Sequence, residues 1–436
     1  MNYKNKKVSF RVLGCRLNQS EVASLKNQFA HRGYRVVGSD DVADITIINS
    51  CAVTTQAEAK TRAEITAAAK VSPKGKIILT GCYAQEKKAD LLNLKNVHMV
   101  IGNLEKTRLV EFVENMDQWA NKAEVADVND PRLVQSHDYY TFSQDSIAET
   151  DRTRAFVKIQ DGCNYFCTYC IIPFLRGRVR SRKSDEILQE VMALEQKGYK
   201  EIVLSGINIG TYKQDEDFDL TALLRSLLEN TSTTRFRLSS IEPNLITGEM
   251  IMLMKVSTRL CNYFHIPLQH GSDKILKLMN RKYNLDDFAE VITKIRRAIP
   301  NIAIGTDAIV GFPGEDEEDF QGMYDFIQKY EFPFLHIFRY SKRDGTKAAK
   351  MPHQVRDIDK KNRSAKLRKL GDQLQENYIK KFLNKELDVL FESPSGGNSD
   401  NFVYVKVNSD KDLTNEMKKV KITKVFKSQA EGVIIE

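Results

Sequence analysis

Six of the seven cysteines in this 436-residue chain fall into two groups whose spacing suggests metal chemistry. Cys163, Cys167 and Cys170 stand within eight residues of one another, in a C-x3-C-x2-C pattern. Three thiolates this close can wrap one soft metal centre. A structural zinc site needs four closed ligands, and no nearby cysteine or suitable histidine supplies the fourth. The spacing favours an iron–sulfur cluster with one open iron, and leaves zinc with a distant ligand or a purely structural loop as alternatives.

The second group is spread along the N-terminal part of the chain, at Cys15, Cys51 and Cys82. Each follows a short apolar run, and helix-compatible stretches separate the runs, which predicts parallel βαβ units. Parallel strands end at one edge of a sheet, so this topology brings the three thiols together and favours a second metal site. Three unrelated buried cysteines are the alternative. The seventh cysteine, Cys261, belongs to neither group, and we expect it to be structural.

The elements that position these cysteines predict an α/β fold in three parts. The first is an N-terminal Rossmann-like parallel-sheet domain, the second a partial (βα)6 barrel and the third a small all-β barrel. The predicted boundaries are 1–120 for the first domain, 121–150 for a linker, 151–373 for the barrel domain and 374–436 for the β-barrel. The strands predicted for the partial barrel are 154–160, 201–205, 235–239, 263–267, 303–310 and 334–338. A charged helix is predicted over 356–381, and Ser-Gly-Gly and Asn-Ser-Asp turns are predicted in the tail.

Composition narrows the functional classes. The chain is 42% hydrophobic and 28% charged, which excludes wholesale disorder. No apolar stretch approaches the ~18 residues of a membrane span, so we expect no membrane association and a cytoplasmic protein. Thiols stay reduced there, which favours metal binding over disulfides. The net charge of +8 is a mild lean toward polyanions.

Part of that charge is concentrated beside the close cysteine group. From Cys163 to Ser184 there is no acidic residue, whereas five are basic. A basic loop with aromatic neighbours suits contacts to nucleic-acid phosphates and a splayed base. The alternatives are a solvated loop or an arginine that balances the charge of a cluster. The residues predicted to contact phosphates are Arg176, Arg178, Arg180 and Lys183.

The close cysteine group, in a loop after the first barrel strand, resembles the radical S-adenosylmethionine (SAM) superfamily. The resemblance implies that SAM binds the open iron and is split to a 5′-deoxyadenosyl radical, while loops after later strands hold the cofactor. For each loop, simple turn chemistry is the alternative. The cofactor-binding residues implied are Tyr169, Gly206, Asn208, Ser240, Glu242, Gln269, Asp307 and Val310.

Over its whole length the chain resembles the methylthiotransferase family of radical SAM enzymes. The resemblance is carried by Leu-Gly-Cys-Arg-Leu-Asn-Gln-Ser-Glu at 13–21, Asn-Ser-Cys-Ala-Val-Thr at 49–54 and the stretch 162–182. It implies a C-terminal barrel of the TRAM type and two 4Fe–4S clusters, the N-terminal one delivering sulfur. All six grouped cysteines then become catalytic cluster ligands.

Within that family, the stretches 13–21, 51–62 and 177–182 look most like the group that acts on threonylcarbamoyladenosine. This implies methylthiolation of C2 of N6-threonylcarbamoyladenosine at position 37 of tRNA, giving 2-methylthio-N6-threonylcarbamoyladenosine. The implied partners are that tRNA and an electron donor such as flavodoxin or ferredoxin, with the enzyme expected to be a monomer. The alternatives are isopentenyladenosine tRNA or a ribosomal-protein aspartate as substrate, and, in another class, a non-catalytic RNA-binding metal protein.

Overall fold

The computed structural model describes residues 5–94, 96–115, 125–126 and 153–435. The predicted linker over 121–150 lies outside the described residues except for 125–126. By internal contacts the chain forms two compact units. The first unit is Met1–Thr150, Phe156–Asn164 and Cys170–Glu190; the second is Asp151–Ala155, Tyr165–Tyr169 and Val191–Glu436. The predicted domain boundaries stay predictions. In the described part of the chain, no helix has the length and apolarity to cross a membrane.

The first unit is built on a parallel six-stranded sheet with the strand order β2-β1-β3-β4-β5-β6. Its strands are β1 (Lys7–Val12), β2 (Arg35–Val37), β3 (Ile45–Ser50), β4 (Lys76–Gly81), β5 (Val97–Ile101) and β6 (Val125–Ala126). Its helices are α1 (Arg16–His31), α2 (Thr55–Val71), α3 (Cys82–Glu86), α4 (Lys88–Leu92) and α5 (Leu109–Glu114). The Rossmann-like prediction is confirmed, although β2, β5 and β6 were not predicted.

The strand order explains where a ligand can bind in this sheet. Strand β3 is buried at every position, as a central parallel strand covered on both faces must be. From β1 the chain turns to β2 on one side, while β3 lies on the other side. Loops that diverge in this way leave a crevice beyond the carboxyl ends of the strands.

The first unit also contains Cys163 and Cys170 of the close cysteine group, whereas Cys167 belongs to the second unit. Strand β7 (Arg154–Lys158) is shared between the units, and so is helix α7 (Ser184–Gln196). The short strands β8 (Gln160–Asp161) and β9 (Arg180–Ser181) pair antiparallel, which holds the basic loop beside the start of the cysteine loop. Helix α6 (Ile172–Arg176) lies between them in sequence.

The second unit continues the parallel βα series. Its strands are β10 (Glu201–Ser205), β11 (Arg235–Leu238), β12 (Tyr263–His265), β13 (Ala303–Val310) and β14 (Phe334–Arg339). Its helices are α8 (Leu220–Asn230), α9 (Gly248–Val256), α10 (Asp273–Leu278), α11 (Leu285–Ala298) and α12 (Glu317–Lys329). Strands β10 and β11 pair in parallel, as do β12, β13 and β14, and a parallel bridge joins Ser240 to His265. This series agrees with the predicted partial barrel, and β14 is an edge strand.

The C-terminal part of the second unit is a closed five-stranded barrel that follows a long helix, α13 (Asp357–Lys380). Its strands are β15 (Glu386–Ser393), β16 (Gly396–Ser399), β17 (Tyr404–Val407), β18 (Met417–Phe426) and β19 (Gln429–Ile434). The small β-barrel was predicted, and Ser395 of the Ser-Gly-Gly run lies in a turn as expected, but its two glycines were wrongly assigned to that turn. Gly396 and Gly397 belong to β16, where they pair with Ser393 and Phe391 of β15. A Cβ on Gly397 would lie 2.0 Å from the carbonyl oxygen of Leu390 on β15, so this close approach of the two strands needs glycine.

Two candidate cysteine centres

The structure brings Cys15, Cys51 and Cys82 to one edge of the N-terminal sheet. They follow β1, β3 and β4, which are adjacent strands. All seven cysteines lie in the described part of the chain, and none of them forms a disulfide. The approach of the first two is so close that the residue before Cys15 has to be glycine. A Cβ on Gly14, whose φ is +94°, would lie 2.8 Å from both Cβ and Sγ of Cys51.

The thiols of this centre act on one another electrostatically. Burial raises the pKa of Cys51 to about 11, and the neighbouring Cys82 and Cys15 add to the rise. Surrounding protein atoms also raise the pKa of Cys15, although its side chain reaches solvent. Arg176 opposes the rise at both positions. Three sulfur donors and a nearby cation form a set that suits an anionic thiolate-ligated cluster.

Arg176 is the centre of a buried charge network, which we call the Glu21 network. Its guanidinium donates to Glu21 Oε1 at 2.9 Å and Asn18 Oδ1 at 2.7 Å, and it lies 3.2 Å from both carboxylate oxygens of Asp161. Lys106 and Lys158 donate to the two Glu21 oxygens at 2.6 and 3.0 Å. Burial alone would raise the pKa of Glu21, but Arg176 and the two lysines hold it well below its usual value. Glu21 is therefore a carboxylate encircled by cations.

The Glu21 network corrects the prediction that Arg176 contacts nucleic acid. Its side chain is 1% exposed and its guanidinium faces carboxylates, so no phosphate can reach it. Arg180 is also buried, 3.7 Å from Asp161, which contradicts the same prediction for that residue. Arg178 and Lys183 are exposed. The alternative that an arginine balances the charge of a cluster fits Arg176 better.

In the first unit, the close cysteine group begins on a constrained turn. The amide of Cys163 donates to the carbonyl oxygen of Gly177 at 3.1 Å, and the amide of Gly162 donates to Asp161 Oδ1 at 2.8 Å. Gly162 has a φ of +70°, and a Cβ there would lie 1.9 Å from the carbonyl oxygen of Arg178. The loop can pass this point only with glycine. Cys170 belongs to the same unit.

In the second unit, Cys167 and two predicted cofactor residues meet at Arg281, which the sequence analysis missed. Its Nη1 lies 3.2 Å from Cys167 Sγ and 3.5 Å from the Tyr169 hydroxyl. Its Nη2 forms an ion pair with Glu242. Arg281 lies 39 residues from Glu242 and 114 from Cys167, so no local pattern could have indicated this contact.

The neighbouring Asn280 fixes the same stretch of the cysteine loop through its side chain. The side-chain amide donates to the carbonyl oxygens of Tyr165 and Phe166 at 3.2 and 3.1 Å. Asn280 and Phe166 both have positive φ values, of 61° and 48°. The turn before α11 therefore orders the loop that carries Cys167.

The remaining predicted cofactor residues follow the strands of the second unit. Gly206 and Asn208 lie just past β10, and Asn208 is buried. Ser240 forms the bridge with His265, and Gln269 bridges to Ala308 with a φ of +65°. Val310, at the end of β13, is buried, whereas Asp307 on the same strand contacts two histidines. Their roles as cofactor ligands stay predictions.

A chain of polar side chains crosses one face of the barrel strands in the second unit; we call it the inner-face chain. Arg154 lies 3.7 Å from Glu201, which pairs at 2.7 Å with both Arg235 and Arg237. It continues through residues on the later strands, Tyr263, His265, Asp307 and His336. The pKa of the nearby Cys261 is raised to about 12 by burial, in keeping with a structural thiol.

Two sequence profiles match the chain. The Radical SAM superfamily matches residues 157–327, and Uncharacterized protein family UPF0004 matches residues 7–102. The chain is 37% identical to the threonylcarbamoyladenosine tRNA methylthiotransferase MtaB of Bacillus subtilis (strain 168), with 98% of this chain and 96% of that protein covered. It is 34% identical to a tRNA-2-methylthio-N(6)-dimethylallyladenosine synthase of Thermoanaerobacter sp. (strain X514), with coverages of 99% and 93%.

A solved structure supports the fold. The radical S-adenosylmethionine methyltransferase TsrM from Kitasatospora setae, with cobalamin and a 4Fe–4S cluster bound, has a TM-score of 0.58 to this chain. The match covers 79% of this chain and 74% of that chain at 11% identity. At this identity the likeness concerns the fold alone.

Proposed function

The chain belongs to the methylthiotransferase family of radical SAM enzymes, and from this membership we propose its reaction. It replaces the hydrogen on C2 of N6-threonylcarbamoyladenosine, at position 37 of tRNA, with a methylthio group. The observation that carries this substrate is the similarity to MtaB relatives. Four of these relatives have a sequence identity of 36–38% to this chain, over alignments that cover 88–98% of it. Four dimethylallyladenosine synthases have a lower identity of 32–34%.

The residues suit two clusters and SAM. When bound, the cluster on Cys163, Cys167 and Cys170 supplies the electron that cleaves SAM to a carbon radical, and the one on Cys15, Cys51 and Cys82 supplies sulfur. The protein's own contribution is placement and charge. Arg281 orients Cys167 together with Tyr169 and Glu242, and Arg176 places a buried cation beside the N-terminal thiols.

The partners follow from this reaction. The tRNA backbone meets the exposed cations Arg178 and Lys183 of the basic loop, and a low-potential flavodoxin or ferredoxin supplies electrons. One chain carries both cysteine groups and needs no second copy to complete either of them, and we expect the active species to be a monomer. Light scattering of the loaded enzyme with and without tRNA measures that stoichiometry.

The substrate is tested with anaerobically reconstituted enzyme. It is incubated with SAM, a reductant and tRNA carrying either threonylcarbamoyladenosine or isopentenyladenosine, and digested nucleosides are analysed by mass spectrometry. We expect the methylthio product from the first tRNA only. Product from the isopentenyl tRNA alone would identify the other tRNA group of the family. If the purified chain holds zinc in place of iron, the protein is instead a non-catalytic RNA-binding metal protein.

A further inference from the structure

Two histidines and one aspartate that belong to neither cysteine group lie together on the inner-face chain. His265 Nε2 lies 3.0 Å from Asp307 Oδ1, and His336 Nδ1 lies 3.2 Å from the same oxygen. The two imidazole rings stack, with centroids 5.1 Å apart and planes inclined by 26°. One carboxylate oxygen therefore holds both rings in place.

The strands fix this geometry. His336 on β14 is in register with Asp307 on β13, and His265 on β12 is in register with Gly305. A Cβ on Gly305 would lie 2.4 Å from the Tyr263 hydroxyl and 3.0 Å from His265 Nδ1. The missing side chain at Gly305 makes room for the Tyr263–His265 contact, which is 3.1 Å long. Both ring nitrogens of His265 are thereby occupied.

His336 is the member of the group that faces solvent. Its side chain is 54% exposed, and among the described residues no protein group bonds its Nε2. Two residues further along the edge strand, on the same face, Phe338 is 43% exposed. The edge strand thus presents a hydrogen-bonding ring beside an apolar ring, an arrangement that suits a base with a polar substituent.

We propose that His336, positioned by Asp307 and His265, is the residue that recognises the threonylcarbamoyl group of the target adenosine. This rests on the proposed function. With Nδ1–H donated to Asp307, Nε2 accepts from a hydroxyl when the ring is neutral and donates to a carboxylate when it is protonated. The threonyl group carries both. An apolar isopentenyl group would instead bury Nε2 without a partner, which disfavours that substrate.

A metal site is the other chemistry that this set of ligands allows. Hydrogen bonding explains the geometry without an ion, because both nitrogens lie at hydrogen-bond distance from the same oxygen. The stacked, half-exposed ring of His336 can then form a hydrogen bond with a ligand that approaches from solvent. The experiment below distinguishes binding of a metal ion from recognition of the threonylcarbamoyl group.

The test crosses two substrates with His336 variants of the reconstituted enzyme. The substrates are anticodon stem-loops with N6-threonylcarbamoyladenosine or with N6-propylcarbamoyladenosine, which lacks the carboxylate and hydroxyl. We expect the unaltered enzyme to prefer the first by about 10- to 100-fold in kcat/KM, the range of one hydrogen bond to a charged group. His336→Phe should abolish the preference, mainly through KM, and His336→Gln should retain part of it. Exposed His353→Asn is the matched control and should change nothing.

Iron content and SAM cleavage without tRNA keep the variants comparable. Both should match the unaltered enzyme, which shows that His336→Phe folds and loads its clusters. An equal loss of kcat/KM on both substrates in His336→Phe would overturn the inference. So would a bound divalent metal ion, in addition to the cluster iron, that is present in the unaltered enzyme and absent from His336→Phe. Failure of the unaltered enzyme on the threonylcarbamoyl substrate would instead overturn the proposed function.

Discussion

Two arginines only two positions apart show how burial decides the role of a residue. Arg176 lies inside the Glu21 network, whereas Arg178 is exposed beside it. Because all three groups are buried, the charge of Arg176 is stabilised only by its pairing with Glu21 and Asp161, and those carboxylates need Arg176 in the same way. Arg178 is exposed to solvent.

We therefore predict opposite effects for two alanine substitutions. Arg178→Ala should weaken tRNA binding and lower the slope of log affinity against log salt by about 1, with stability unchanged. Arg176→Ala should destabilise the protein by ~3–5 kcal/mol, because it leaves two carboxylates short of a buried partner. Filter binding over a salt series and denaturant unfolding measure the two quantities. Equal salt slopes for Arg178→Ala and the unaltered protein would contradict the phosphate contact.

At the scale of the element, the N-terminal sheet positions its thiols through strand ends and glycines. Gly14 lies just after β1 and lets Cys51 approach, while Gly81, with a φ of +95°, is the last residue of β4 before Cys82. A side chain at either position meets both strained backbone and occupied space. Because these loops approach closely, three cysteines that are distant in sequence form one set of sulfur donors.

We predict that Gly14→Ala prevents assembly of the N-terminal centre. The added methyl would lie 2.8 Å from Cys51 Sγ, so reconstituted protein should hold about half the iron of the unaltered chain. Gly198→Ala is the matched control, since Gly198 has a similar φ of +87° and nothing within 4 Å of the added methyl. It should cost ~1 kcal/mol of stability and no iron. Full iron content in Gly14→Ala would sink the prediction.

Another element-scale feature is the attachment of the C-terminal barrel through Glu201. This buried carboxylate pairs with Arg235 and Arg237, which donate to backbone carbonyls of the barrel. Arg235 reaches Asn398 O at 2.9 Å, and Arg237 reaches Ser399 O at 3.0 Å. Burial would raise the pKa of Glu201, but the two arginines hold it well below its usual 4.5.

This pairing predicts an acid-sensitive contribution to stability. Because the pKa is lower in the folded chain, the contribution is complete above pH 4.5 and is lost as the pH falls below that value. Glu201→Gln should lose ~3–5 kcal/mol at pH 7 and show a shallower fall in Tm toward pH 3. Glu249→Gln, which removes an exposed carboxylate paired with Arg225, is the control and should behave as the unaltered chain. Parallel acid profiles for Glu201→Gln and the control would refute this assignment.

At the scale of the whole molecule, the six grouped cysteines divide into two donor sets with different surroundings. The N-terminal thiols lie by the Glu21 network, and Cys167 lies by Arg281. Separate surroundings allow separate chemistry, so that one set can be removed without the other.

We predict that Cys51→Ala retains reductive cleavage of SAM and abolishes methylthiolation. Its iron should fall to about half, since one cluster loses a ligand. Cys261→Ala changes a buried cysteine outside both groups and should leave iron, cleavage and methylthiolation unchanged. The measurements are 5′-deoxyadenosine formation and nucleoside mass spectrometry. Loss of cleavage in Cys51→Ala with the other cluster intact would contradict this division of labour.

The sequence by itself determined the parallel βα order, the small barrel and the grouping of the cysteines. These features depend on local patterns: apolar runs, strand ends and a spacing of three and two residues. Parallel topology places the carboxyl ends of distant strands at one edge of the sheet, so the order of the strands alone groups Cys15, Cys51 and Cys82.

Only the tertiary structure decided which charged residues are buried in ion pairs and which are exposed to solvent. Arg176 and Arg178 look alike in a basic loop, and the partner that separates them, Glu21, lies 155 residues from Arg176. Arg281 and His336 likewise obtain their surroundings from residues 114 and 29 positions away. The residue type determines the sign of a charge, whereas its burial and its partners result from packing between distant segments.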